Sequence, residues 1–178
     1  MGGSTMEKKS MTLKSILPLL LLMASMLLLV ACKKESDLLA AIDKGRSDIV
    51  LQLVDSGVDP NKDANADGAY PLHLASLKGN KEIVQILLDN GAKIDLRATN
   101  KDKATPLAWA AFFGQKDMVS LLINAGAPIN MLDSNHATPL DAAVYVWRLS
   151  QDDKGKASHL MEVIEILKAH GGNPADEL

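Results

Sequence analysis

The side chains that most often carry out catalysis or bind metals are few in this sequence and widely separated. It contains one cysteine, Cys32, and four histidines: His73, His136, His159 and His170. Zinc sites gather several Cys or His ligands, commonly at short spacings, and these five residues show no such spacing. Asp152 and Asp153 are adjacent, but they stand among lysine and glycine, which is typical of a solvated turn. The sequence therefore predicts neither a metal site nor an enzyme.

Composition excludes further classes of function. No glycine-rich phosphate loop and no Gly-x-Ser-x-Gly motif is present. Nineteen basic residues against 22 acidic ones give a net charge of −3, without the basic excess of nucleic-acid-binding proteins. Aromatic residues make up only 3% of the chain, so Leu, Ile, Val and Ala must fill the core, which favours helices. We expect no cofactor, no nucleic acid and no small-molecule substrate.

The single cysteine follows an apolar segment near the N-terminus. Three lysines precede residues 16–30, which carry no charge, and this order is typical of a secretion signal. The segment is shorter than the ~20 residues that span a bilayer comfortably. Leu29-Val30-Ala31-Cys32 resembles the lipobox of bacterial lipoproteins, which implies cleavage before Cys32 and lipidation of that residue. The alternatives are an uncleaved anchor and a cysteine placed there by chance.

The resemblance to lipoproteins implies a division of the chain and a location. Residues 1–31 are then a signal peptide, residues 32–35 the lipidated cysteine with a short tether, and residues 36–178 the folded part. Two lysines follow the cysteine, where an Asp would resemble an inner-membrane retention signal. We therefore expect a protein anchored in the outer membrane and facing the periplasm. The candidate start residues are Met1, Met6 and Met11.

Glycines and prolines of the remaining sequence recur at nearly constant intervals. The glycines at 57, 91, 126 and 171 are 34, 35 and 45 residues apart, and the prolines at 71, 106 and 139 are 35 and 33 apart. The repeated units read Tyr70-Pro-Leu-His-Leu-Ala, Thr105-Pro-Leu-Ala-Trp-Ala and Thr138-Pro-Leu-Asp-Ala-Ala. This pattern resembles the ankyrin repeat, a unit of about 33 residues with a Thr-Pro-Leu-His-x-Ala signature.

The resemblance to ankyrin repeats implies an all-α fold. We expect a solenoid of about four helix-turn-helix repeats with short hairpin fingers, at residues 36–66, 67–101, 102–134 and 135–174. The fourth unit carries about twelve extra residues near 146–158, for which we expect a lengthened first helix followed by a polar loop. The resemblance also implies that His73 makes a structural hydrogen bond to a neighbouring turn.

Residue types within each unit explain the signature physically. Thr105 and Thr138 can cap a helix N-terminus, with the following proline at the first helical position. A glycine after each second helix suits a left-handed C-terminal cap. Small residues let neighbouring first helices approach closely; we assign this role to Ala75, Ala110 and Ala142.

Five of the six aromatic residues lie between positions 109 and 147, in one part of the repeat array. In the ankyrin family the two positions before the repeat glycine face a concave groove, which implies that Phe112 and Phe113 lie there. The candidate partner-binding residues are Leu77, Lys78, Phe112, Phe113 and Tyr145, with Lys101, Asp102 and His136 on the fingers. The alternative is that the lengthened fourth repeat covers the rings. Trp109 is expected to pack in the core.

Ankyrin repeats bind other proteins, so the resemblance implies a protein partner and no reaction. Combined with the lipobox, it predicts a lipid-anchored periplasmic binding module. One form of this function is an immunity or inhibitor protein that blocks an envelope-targeting effector. The alternative is an accessory factor or scaffold for an envelope enzyme.

Overall fold

The computed structural model describes residues 37–178, and the residues from Leu38 onward form one compact unit of eight α-helices in four consecutive pairs. The pairs are α1 (Leu38–Asp43) with α2 (Ser47–Asp55), α3 (Pro71–Lys78) with α4 (Lys81–Asp89), α5 (Pro106–Phe112) with α6 (Lys116–Asn124), and α7 (Pro139–Leu149) with α8 (Lys154–Ala169). A short 3-10 turn, Ala175–Glu177, follows. Within this part of the chain no strand occurs, and the prediction of an all-α repeat solenoid is confirmed.

The predicted signal segment and Cys32 lie outside the described residues. Within residues 37–178, no helix combines the length and the apolar character that crossing a membrane requires.

The Thr-Pro pairs start helices as predicted. Thr105 Oγ1 accepts a hydrogen bond from the backbone N–H of Ala108 at 3.3 Å. Thr138 forms a reciprocal capping box with Asp141: its Oγ1 accepts from the Asp141 N–H at 3.2 Å, and Asp141 Oδ2 accepts from the Thr138 N–H at 2.9 Å. In the second pair Tyr70 takes the threonine's place and provides no side-chain cap. The three prolines occupy the first turn of their helices, where the backbone N–H has no partner within the helix.

The core is a continuous stack of leucines, isoleucines and valines between the helix pairs. The first helices α1, α3, α5 and α7 pack side by side in chain order, as do the second helices. Ala75 and Ala110 are fully buried at the contacts of the first helices, as expected. In α7 the buried alanine is Ala143, four residues after the helix's proline, so the assignment to Ala142 was one residue out of register.

The extra residues of the fourth repeat lengthen both of its helices. Helix α7 has 11 residues and α8 has 16, against six to nine in the earlier helices. The lengthened first helix is confirmed, but the expected polar loop is wrong beyond residue 153. Asp153 caps α8 by accepting from the Lys156 N–H at 3.1 Å, so the residues from Lys154 onward are helical. Leu160 of this extension is buried beside Gly114, at the end of the third repeat's first helix.

Three hairpin turns precede helices α3, α5 and α7, and we name them fingers 1, 2 and 3 (residues 65–69, 98–104 and 133–137). Each is closed by one backbone hydrogen bond of 2.9–3.0 Å between its first and last residues. Finger 2 has two more residues than its neighbours, which accounts for the proline intervals of 35 and 33.

Neighbouring fingers are joined by backbone hydrogen bonds. The Thr99 N–H of finger 2 donates to the Gly68 carbonyl at 3.0 Å, and the Ser134 N–H of finger 3 donates to the Asp102 carbonyl at 2.7 Å. Gly68 has a φ of +79°, and a Cβ on it would lie 2.5 Å from the backbone nitrogen of Asn100. Only glycine fits this contact, so the close packing of fingers 1 and 2 depends on it.

Candidate functional site

A concave groove of about 800 Å³ lies between the fingers and the first helices of the third and fourth pairs. Its floor is mainly aromatic and alanine: Trp109, Phe112, Phe113 and Tyr145, with Ala108 and Ala142. Its rim is mainly polar and comes from the fingers and the start of α7: Asp67, Asn100, Asp102, Asp133, Asn135 and Asp141. The groove therefore combines an apolar floor with an acidic rim.

Three of the floor rings are open to solvent. Phe112 is 40% exposed, Phe113 47% and Tyr145 59%. Phe112 and Phe113 meet edge to face, with ring centroids 5.2 Å apart, and Phe113 also contacts Trp109 at 6.1 Å. Such pairs hold aromatic rings in place without covering them. The alternative that the lengthened fourth repeat buries the two phenylalanines is therefore wrong.

The buried end of this row of rings is His73, whose role is structural as predicted. It is fully buried, packs edge-on against Trp109 at 5.4 Å, and its Nε2 donates to the Ala104 carbonyl of finger 2 at 3.0 Å. Its Nδ1 has no hydrogen-bond partner among the described residues. Burial lowers the pKa of His73 to about 4, outweighing the Ala104 hydrogen bond, which raises it, so the ring is neutral at pH 7.

The four rim aspartates, Asp67, Asp102, Asp133 and Asp141, take part in no ion pair within residues 37–178. Asp133 Oδ1 instead accepts the backbone N–H groups of Asn135 and Ala137 at 2.7 and 3.0 Å. Asp102 Oδ1 accepts from the Asn135 side chain at 3.1 Å. No lysine, arginine or histidine lines the groove, so the charge that it presents is negative.

Of the eight predicted partner-binding residues, the structure brings four together in the groove: Phe112, Phe113, Tyr145 and Asp102. The other four lie elsewhere. Leu77 is half-buried against the core, and Lys78 pairs with Asp43 at 2.6 Å. Lys101 is exposed on finger 2 without lining the groove. His136 borders a second cleft, beside the C-terminal residues.

Several groove residues were not predicted from the sequence or were assigned another role. Trp109, expected to be core packing, is half-buried and forms part of the floor. Five rim residues were not predicted to bind a partner: Asp67, Asn100, Asp133, Asn135 and Asp141. Asp67 could have been predicted from Asp102, because the two are 35 residues apart, the same interval as their repeats.

The groove offers no recognisable metal chemistry. Among residues 37–178, no group of three or more His, Cys, Asp or Glu side chains is arranged to hold a metal ion. What the site offers chemically is contact: exposed rings, carboxylates and side-chain amides.

Comparison with known proteins finds other chains built from the same repeat. A family profile described as ankyrin repeats (3 copies) matches residues 15–98, 38–133 and 94–151. An ankyrin repeat-containing protein of Schizosaccharomyces pombe is 39% identical over 57 residues, 32% of this chain and 27% of that protein. The ankyrin repeat and SAM domain-containing protein 6 of Danio rerio is 35% identical over 63 residues, 35% of this chain and 8% of that protein. The SH3 and multiple ankyrin repeat domains protein 1 of Homo sapiens is 41% identical over 58 residues, 32% of this chain and 3% of that protein.

The matched segments thus span only a small part of these relatives, at most 27% of their length. The family profile, in contrast, covers most of this chain, and its matches, which reach residue 151, include the three repeated Pro-Leu units and the first three helix pairs. On this evidence, the chain belongs to the ankyrin repeat family.

Proposed function

We propose that this chain is a lipid-anchored module that binds another protein in its concave groove, on the periplasmic side of the cell envelope. Ankyrin repeats are protein–protein interaction modules, so a protein is the expected class of partner. The observation that carries the proposal is the group of exposed rings on the groove floor. Large aromatic side chains dominate the energetics of protein interfaces, and exposed apolar groups gathered in one concavity mark binding sites.

For the biological role we propose an immunity or inhibitor protein that blocks an effector acting on the envelope, with an accessory or scaffold role for an envelope enzyme as the alternative. The length of the tether supports a partner close to the membrane. Three residues separate Cys32 from the predicted start of the first repeat, which is a reach of about 10 Å when fully extended.

The lipid anchor is tested by changing Cys32 to serine. Serine has no thiol to accept the lipid, so we expect the variant to incorporate no labelled fatty acid and to remain an unprocessed precursor. Growth with a clickable fatty acid, followed by electrophoresis of wild type and variant, measures this directly. A wild-type protein that takes up no label contradicts the anchor and leaves the groove proposal untouched.

The groove is tested by changing Phe112 and Phe113 to alanine, one at a time. Each change is expected to weaken the partner complex by about 2 kcal/mol, roughly thirtyfold in affinity, because truncating a central aromatic contact removes a hot spot. Helicity should stay unchanged, since both rings are exposed. A photo-crosslinking residue at Tyr145 identifies the partner, and titration of that partner gives the affinities.

Two controls make this experiment specific. A photo-crosslinking residue at Leu51, which is 43% exposed on the first helix pair, should capture no partner. Leu149→Ala, also exposed but outside the groove, should leave the affinity unchanged. If both phenylalanine variants bind as wild type does, or lose binding only by unfolding, the groove is not the site.

A further inference from the structure

We propose that the partner segment entering this groove is basic and carries an arginine or lysine side chain that lies along the aromatic floor and reaches the rim carboxylates. This inference rests on the proposed function and adds the chemistry of the partner. Two features of the groove support it: the negative charge of the rim and the aromatic side chains of the floor.

The charge of the rim is uncompensated. Four carboxylates line the groove together with no basic side chain, and none of the four forms an ion pair within the described part of the chain. Lys101 and Lys103 flank Asp102 in finger 2, but neither lines the groove. Like charges held close together repel, and a partner of opposite charge relieves that repulsion and favours the complex.

The floor selects the same side chains by a second mechanism. Arginine and lysine have long apolar stems that pack on apolar surfaces while their charged ends reach polar groups. A cation within about 6 Å of an aromatic ring centre is also attracted by the ring face. A basic side chain can therefore contact the floor rings and the rim carboxylates at once. An acidic segment would be repelled by the rim, and a purely apolar one would leave the carboxylates desolvated and unpaired.

A second copy of this chain does not fit the groove when the two grooves face each other. A groove that lies on a two-fold axis meets the groove of the other copy, with the four aspartates of one facing the four of the other. The charge pattern therefore points to a different protein with a basic binding segment.

The groove permits a variant that removes charge while keeping the fold. In finger 1, Asn65 Oδ1 accepts two backbone N–H groups at 3.0 and 2.8 Å, as Asp133 does in finger 3. Asparagine at position 133 can keep these two bonds and loses only the long one, 3.4 Å, that Asp133 Oδ2 accepts from the Asn135 side chain. Asparagine at position 102 keeps the oxygen that accepts from Asn135. The test variant is Asp67→Asn, Asp102→Asn and Asp133→Asn together. The matched control changes three exposed aspartates outside the groove: Asp55→Asn, Asp89→Asn and Asp152→Asn.

The probe is a phage-displayed library of random twelve-residue peptides, selected on the full chain in detergent. We expect enrichment of peptides with arginine or lysine beside an apolar residue. Synthetic copies should bind the groove variant roughly tenfold more weakly than wild type, because the variant lacks three carboxylates that can attract the basic side chains of the peptide. The control variant should bind them as wild type does, and binding should weaken as salt rises because exposed charges are screened.

The outcomes separate this inference from the proposed function. Selected peptides that need Phe112 and Phe113 but are neutral or acidic, or that bind the groove variant and wild type equally, overturn the basic partner and leave the groove as a binding site. Basic peptides that bind the phenylalanine variants as strongly as wild type overturn both. A selection that enriches no basic peptide over the starting library also counts against the inference.

Discussion

Changing Leu107 to alanine is expected to lower the free energy of unfolding by about 2–5 kcal/mol, the range measured for leucine-to-alanine changes in well-packed cores. Leu107 is only 1% exposed and lies in the first turn of α5, the helix that packs between α3 and α7. The change removes apolar contacts and leaves a cavity between repeats, which neighbouring helices can close only in part. Urea unfolding followed by far-ultraviolet circular dichroism measures the loss.

Leu51 provides the matched control, because it is also a helical leucine but is 43% exposed. Leu51→Ala should cost about 1 kcal/mol or less, since a partly exposed side chain buries less surface and leaves no cavity. Equal losses for the two variants would remove Leu107 from the core between repeats.

Acidification is expected to destabilise the protein by about 3 kcal/mol through His73 alone. The pKa of this ring is lowered by burial to about 4, against 6.5 for a free histidine, so the unfolded chain binds the proton more readily than the folded one. The corresponding stability is complete above about pH 6.5, falls by roughly 2 kcal/mol by pH 5, and is lost below the folded pKa.

The measurement is urea unfolding at intervals between pH 7 and pH 5, for wild type and His73→Gln. Glutamine cannot take up a proton in this range, so the stability of the variant should change less with pH, whatever its stability at pH 7. Parallel declines of the two proteins would assign the acid sensitivity to other groups. Should the variant not fold, a wild-type protein that is as stable at pH 5 as at pH 7 contradicts the prediction by itself.

The repeat architecture could be predicted from the sequence because its determinants are local. A threonine followed by proline starts a helix through contacts within four residues, and Thr105 and Thr138 do so. Glycines after the second helices have positive φ, as at Gly91 with +83°. These short-range rules recur at the repeat interval, so each unit supported the interpretation of the next.

The fourth repeat was predicted less accurately because residues 152–156 have the composition of a loop but include the start of a helix. Residues 152–156 contain aspartates, lysines and a glycine, a composition typical of loops. In the structure Asp153 caps helix α8. Leu160 and several apolar residues that follow it in α8 are buried against the preceding repeat, and this burial stabilises the longer helix. Burial of an apolar side chain far along the helix outweighed the weak preference of Gly155 against helix.

The acidic rim was missed because no local rule describes it. Its aspartates are separated by 31 to 35 residues along the chain for Asp67, Asp102 and Asp133, and they meet only when the fingers stack. In the sequence each one fits a turn, where aspartate is common. The aromatic residues were found because they are rare in this chain and concentrated in one region.

The two additional residues of finger 2 show that the rim and the floor of the groove differ in how well they tolerate inserted residues. The floor belongs to helices that meet at buried alanines, so a residue inserted before Ala110 or Ala143 would move that alanine out of the contact between helices. The rim belongs largely to turns, and finger 2 is two residues longer than its neighbours while the helix that follows it keeps its Thr105 cap. Evolution, or a protein engineer, can therefore vary the length of finger 2 to reshape the rim of the groove while leaving its aromatic floor in place.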